Sequence, residues 1–232
     1  MEFMLLFSQA KDAPRPGPEG FAEMGRFAAE LSRHGKLRCG APLGEPADGA
    51  TVRSRDGKPL VSDGPFAEAK EVLGGFWIID AASRDEAIDI ARRCPHARGG
   101  TVEVHAVRRR YLFDDTGAGT PFLFAFHRVP GLTDPDDSKF RAMMTFAETL
   151  AHEGTLFETT PLAVDPPPAR IEPRDGKPLV LDGPFAEAKE AVGGYSLVRV
   201  PDRAAAVELA TRYPHAAWGP IEVREILFFD PV

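Results

Sequence analysis

The sequence predicts an α+β protein built from two copies of one small domain, each a β-sheet carrying two helices. Three observations carry this reading. First, the chain repeats itself: residues 55–75 and 174–194 are identical at 18 of 21 positions, at a constant offset of 119. The same offset aligns Phe3 with Phe122, Phe21 with Phe140, Phe27 with Phe146, Pro42 with Pro161, and Pro95-His96 with Pro214-His215. Second, apolar runs and amphipathic stretches alternate in each copy in the order strand, helix, hairpin, strand, helix, strand. Third, 232 residues suit two domains, placed at 1–115 and 120–232, each long enough to bury a core. A tandem repeat of this kind packs as a covalent version of a homodimer, with a pseudo-two-fold axis between the copies.

The elements follow in order. Glu2 to Phe7 is a continuous apolar run of strand length, repeated from Pro121 to Phe126. Past a Pro- and Gly-rich loop, Phe21, Met24, Phe27, Ala28 and Leu31 fall three and four apart and predict a helix. Phe140, Met143, Ala147 and Leu150 repeat it, with Asp134 as N-cap, Pro135 in the first position and Asp136 and Asp137 in the first turn. Gly35 and Gly154 mark the helix ends. Asp56-Gly57 and Asp175-Gly176 sit between strand-like runs and predict type I′ hairpins. Gly75 to Asp80 reads as a core strand, Ser83 and Glu86 as a capping box opening a second helix, and Gly100 to Val104 as a last strand. Two helices on one face of an antiparallel sheet make a ferredoxin-like layer whose other face is bare. The second copy covers that face, sheet to sheet.

Composition narrows the function classes. A net charge of −7 argues against nucleic-acid binding. Arg108-Arg109-Arg110 is the one basic run singled out, and it reads as a solvated strand end beside the linker. No apolar run is long enough to span a bilayer, and the apolar N-terminus lacks the pattern of a signal peptide. The two cysteines, Cys39 and Cys94, align with Glu158 and Tyr213, so no disulfide framework is shared. The expectation is a cytoplasmic protein with no cofactor and no metal. HExxH, GxSxG and phosphate-loop patterns are all missing.

The densest feature is Asp63-Gly64-Pro65-Phe66-Ala67-Glu68-Ala69-Lys70-Glu71, followed by Gly74-Gly75 and, later, by Pro-x-x-x-x-Gly-x-x-Glu-Val from Pro95 and again from Pro214. With these motifs each repeat resembles the YCII-related family, in the branch named for its DGPF motif. The resemblance implies a ferredoxin-like fold associating as a dimeric α+β barrel, in a superfamily that includes muconolactone isomerase-like and monooxygenase-like enzymes. It also implies an Asp–His pair as a proposed site, and a genomic association with extracytoplasmic-function sigma factors. The family's proposed site histidine lies in the first helix, where this chain offers His34 and His152 at non-equivalent positions.

Two readings of the residues stand side by side. Asp63 and Asp182 are either turn residues or general bases at the mouth of a cleft. His96 and His215, the histidines that recur between copies, are either helix C-terminal cations or catalytic partners. Glu68, Lys70, Glu187 and Lys189 are either a solvated ion-pair cluster or ligand contacts, and Phe66 and Phe185 either core plugs or pocket walls. Gly74-Gly75 and Gly193-Gly194 predict a bulge or a close backbone approach. The functional expectation is a small polar or aromatic ligand and cofactor-free acid–base chemistry. The alternative is a non-enzymatic accessory module of transcriptional regulation. The expected associations are an intramolecular pseudo-dimer and a further homodimer, without nucleic acid or membrane.

Overall fold

The computed structural model describes residues 1–14, 16–55, 58–64, 70–115, 117–128, 137–174, 177–182 and 191–227, without the side chains of Asp137 and Asp182. The first repeat contributes β1 (Glu2–Ala10), α1 (Pro18–Arg33), β2 (Leu37–Pro42), the hairpin β3 (Ala50–Arg55) and β4 (Lys58–Asp63), β5 (Glu71–Asp80), α2 (Arg84–Arg93) and β6 (Thr101–Ala106). A two-residue strand β7 (Tyr111–Leu112) leads into the second repeat. There follow β8 (Thr120–Arg128), α3 (Asp137–His152), β9 (Leu156–Pro161), β10 (Ala169–Arg174), β11 (Lys177–Asp182), β12 (Ala191–Val200), α4 (Arg203–Arg212) and β13 (Ile221–Glu225).

Local chemistry sets the boundaries. Gly35 and Gly154 take positive φ (64° and 70°), and the Lys36 amide donates back to the Leu31 carbonyl, closing α1. At α2 the Ser83 hydroxyl accepts from the Glu86 amide (3.2 Å), while the Glu86 carboxylate accepts from Ala82 rather than Ser83. The cap is therefore the expected one, with the return bond displaced by a residue. The Asp134 and Pro135 start signal and the Asp-Gly turns lie outside the described residues. The Arg55–Lys58 and Arg174–Lys177 pairings each leave two residues for the turn.

The hairpins do not stay with their own repeats. One sheet runs β11-β10-β6-β1-β5-β2, the other β4-β3-β13-β8-β12-β9-β7. Thus β3 pairs with β13 of the second repeat, and β10 pairs with β6 of the first. The hairpin expected within each copy's own sheet thus lies in the other's, and the reason is burial. Ala50 and Val52 disappear into the second repeat's helix layer, Ala169 and Ile171 into the first's. A fully buried Val or Ile side chain is worth about 1.5–3 kcal/mol.

The sheets pack face to face around a core drawn from both repeats, including Met4, Leu6, Phe76, Ile78, Leu123, Tyr195 and Leu197. Single bridges stitch their edges, Leu43 to Ile226 and Val107 to Leu162, at positions related by the repeat. Strands β6-β1-β5-β2 and β13-β8-β12-β9 so close into one barrel, with α1 and α2 outside one half and α3 and α4 outside the other. Among the described residues no helix is long and apolar enough to cross a membrane.

Exchange of hairpins makes a direct prediction. Expressed alone, residues 1–115 should not give a monomer with a cooperative melt, because β3 and the β6 edge lose their partners. Co-expressed with residues 120–232, the two pieces should copurify one to one. A cooperatively melting monomer of the first piece in analytical ultracentrifugation and calorimetry would contradict the exchange.

Candidate functional site

A cavity of about 270 Å³ opens in the first repeat between α1 and the outer face of the barrel. Its walls are mostly apolar: Phe7 from β1, Phe21 and Met24 from α1, Val72 and Trp77 from β5. Phe7 and Trp77 meet edge to face with ring centres 5.0 Å apart. Phe21 remains 46% exposed, as a residue at a mouth would be.

The paired glycines shape the floor. Gly74 is the extra residue of a bulge, since Phe7 pairs with Gly75 and Ser8 with Leu73; Gly193 repeats this in the second copy. At Gly75 a Cβ would sit 2.9 Å from the Ala41 carbonyl, and at Gly194 2.9 Å from the Thr160 carbonyl. Bulge and close approach thus coexist, one glycine for each. The floor is also held from the second repeat. Arg224, 1% exposed, donates to the Leu73 carbonyl (2.8 Å), the Gly44 carbonyl (2.5 Å) and Glu222 (3.0 Å). Burial pushes the Glu222 carboxyl up, but hydrogen bonds and charge from His127 and Arg224 outweigh it and hold the acid below its usual range.

Of the expected site residues, His96 lies in this cavity. Its Nε2–H donates to the Ser8 carbonyl (2.8 Å), and His215 does the same to the His127 carbonyl (3.0 Å). A side chain at Gly100 or Gly219 would collide with these rings, which explains the recurring glycine. Burial lowers both pKa values, that of His215 to about 4. The reading of these rings as helix-terminal cations is therefore corrected: they are neutral donors that satisfy the carbonyls beside the β1 and β8 bulges.

Asp63 lies elsewhere. Its side chain is 83% exposed and accepts from Arg203 of α4, which also donates to the Asp48 and Gly49 carbonyls. Such a carboxylate clasps the exchanged hairpin to the other repeat's helix, and it lacks the desolvation that a general base requires. Arg84 repeats the reach, donating to the Pro167 carbonyl (3.2 Å). The Asp182 side chain, Phe66, Glu68, Phe185, Glu187 and Lys189 lie outside the described residues. Lys70 is exposed and touches the neighbouring loop through its carbonyl, which accepts from the Lys11 amide.

The second copy carries different residues at the matching positions. Met144 stands where Gly25 lines the cavity, and Arg128, where Gln9 does, lies across Gly193 and donates to the Leu162 carbonyl. Tyr213 replaces Cys94 and Ser196 replaces Trp77; the Tyr213 phenol, packed on Phe126 and Phe146, donates to the Ser196 hydroxyl or accepts from it at 2.9 Å. Inside the barrel a further asymmetry appears. Glu158 takes two bonds from Arg110 (2.8 and 2.7 Å) and one from the Tyr195 phenol, where the first copy has Cys39 and Phe76. Arg110 is thus an inward partner, and only Arg108 and Arg109 fit the solvated reading. The Cys39 thiol, raised to about 12 by burial and the Glu158 charge, is inert. Sequence reasoning passed over Gln9, Met24 and Gly25; the Gly25-to-Met144 difference was the available signal.

Two ferredoxin-like layers closed into a single α+β barrel, with a cavity under a helix of one layer, define the class of this protein. The YCII-related domain matches the chain twice, over residues 1–110 and 121–230, and the chain belongs to that family. An uncharacterized protein of Rhizobium meliloti (strain 1021) is 49% identical over 67 residues, which are 29% of this chain and 54% of that protein. A solved structure described as a putative chlorite dismutase aligns with 98% of this chain and 94% of its own, at 10% identity and a TM-score of 0.39.

Two outcomes follow. His215 binds its proton near 4 when folded and near 6.5 when unfolded, so between those values the unfolded chain holds a proton that the fold refuses. Its contribution is complete above pH 6.5 and is lost as pH falls toward 4. Denaturant titrations of the parent should lose stability over this window, and His215→Gln should lose up to about 3 kcal/mol less. Asp63→Asn, by contrast, should cost less than about 1 kcal/mol in the same titration at pH 7, as an exposed pair does.

Proposed function

We propose that this protein binds one small apolar or aromatic molecule in the first repeat's cavity, and that the second repeat serves as its scaffold. The observation that carries the reading is the difference at one position: Gly25 leaves the cavity open, and nothing lies within 4 Å of where its Cβ would be. Met144 is its bulky counterpart. A volume of about 270 Å³ and aromatic walls suit a ligand of one or two fused rings. The Arg224 bonds to Leu73 and Gly44 add a rigid floor, which lowers the ordering cost of binding. Asp63 has no part in this reading, because its carboxylate is solvated and engaged by Arg203.

The test is Gly25→Met, which writes the second copy's residue into the first. A panel of one- and two-ring aromatics is screened by thermal shift and by Trp77 fluorescence. A ligand at 100 times its Kd stabilises the parent by about 2.7 kcal/mol. Gly25→Met should abolish that gain while melting no lower than the parent, since Met favours a helix over Gly by up to about 1 kcal/mol. Undiminished binding by the variant would rule out this cavity as the site.

A further inference from the structure

The polar side chains of the cavity narrow the ligand's chemistry, on the reading that the cavity is the binding site. Among the described lining residues there is no Asp, Glu, Lys or Arg. Among these residues a bound anion meets no cation and a bound cation no carboxylate, so neither recovers the loss of its hydration. Gln9 and His96 carry the amide and imidazole groups of the lining. The Gln9 amide nitrogen makes a long contact of 3.5 Å to the Ala13 carbonyl, so its carboxamide oxygen is left as an acceptor.

His96 is the more constrained of the two. A carbonyl can only accept, so the 2.8 Å bond to Ser8 fixes the ring proton on Nε2. In a neutral ring Nδ1 is then a lone-pair acceptor, and among the described residues it has no hydrogen-bond partner. Phe7 packs against the same ring, with centroids 5.4 Å apart, and continues the aromatic wall to Trp77. An acceptor beside a flat apolar wall calls for a flat molecule with a donor at its edge.

We propose that the site takes a neutral, planar aromatic molecule bearing one O–H or N–H donor, and that His96 Nδ1 accepts the hydrogen bond from that donor.

Three matched probes test this on the full chain by isothermal calorimetry: 2-naphthol, 2-methoxynaphthalene and 2-naphthoate. Naphthol should bind at least tenfold tighter than its methyl ether, and naphthoate should bind weaker than both. His96→Gln keeps a nitrogen donor where Nε2 bonds Ser8 but removes the Nδ1 acceptor. It should erase the naphthol preference and leave the affinity for the ether unchanged. Equal binding of naphthol and ether by the parent overturns the donor claim while the cavity reading survives. Tight naphthoate binding overturns the claim of neutrality. A naphthol preference that persists in His96→Gln overturns the role of His96. Failure of all three probes to bind sinks this inference and the cavity reading together. Should His96→Gln melt well below the parent, the nitrogen-15 resonance of His96 Nδ1 in the parent decides instead: an upfield shift on adding naphthol but not its ether supports the role of His96, and no shift overturns it.

Discussion

Everything in this structure depends on one requirement: a sheet with helices on one side must cover its other side. Each repeat meets it with its twin. Met4, Leu6 and Ile78 bury against Leu123, Tyr195 and Leu197, and the Leu43–Ile226 and Val107–Leu162 bridges seal the edges. Closure leaves the two-stranded hairpins outside the barrel, and each finds the other repeat's last strand. The Asp63–Arg203 pair is a by-product of that crossing, since it joins a turn of one repeat to a helix of the other.

The two halves then diverge by compensation. In the first, Gly40 lets the Trp77 indole lie flat, because a side chain there would strike the ring, and Cys94 is small beneath α1. In the second, Thr159, Ser196 and Tyr213 occupy these three positions and join in one buried hydrogen-bonded chain. The location of the bulk thus changes between the halves. The first repeat's cavity is lined on its helix side by Gly25, where the second copy has Met144, and by Ala28, where it has Ala147.

Much of this was legible in the sequence. The repeat, the helices around Phe27 and Ala87, the Gly35 stop and the Gly-Gly bulge follow from local rules of spacing and backbone freedom. The exchange of hairpins was not legible, because β3 carries the same alternation whichever β-edge receives it. Nor was the burial of Arg110, whose charge suggests solvent until Glu158 is seen beside it on the neighbouring strand β9. Nor was the partner of Asp63 legible, for a related reason. A residue written twice invites a chemical role, and at Asp63 the structure shows a clasp to Arg203. His96 lines the cavity together with neighbours such as Gly25, which no chemical motif marks.

Fusing the copies has a genetic consequence. In an assembly of identical chains every substitution arrives twice, so a change that plugs one pocket plugs both. Here Met144 could appear without its mirror image, and each half of a barrel built by duplication was free to change alone. The tether that joins the halves thus does more than hold them together: it releases each from having to resemble its sister.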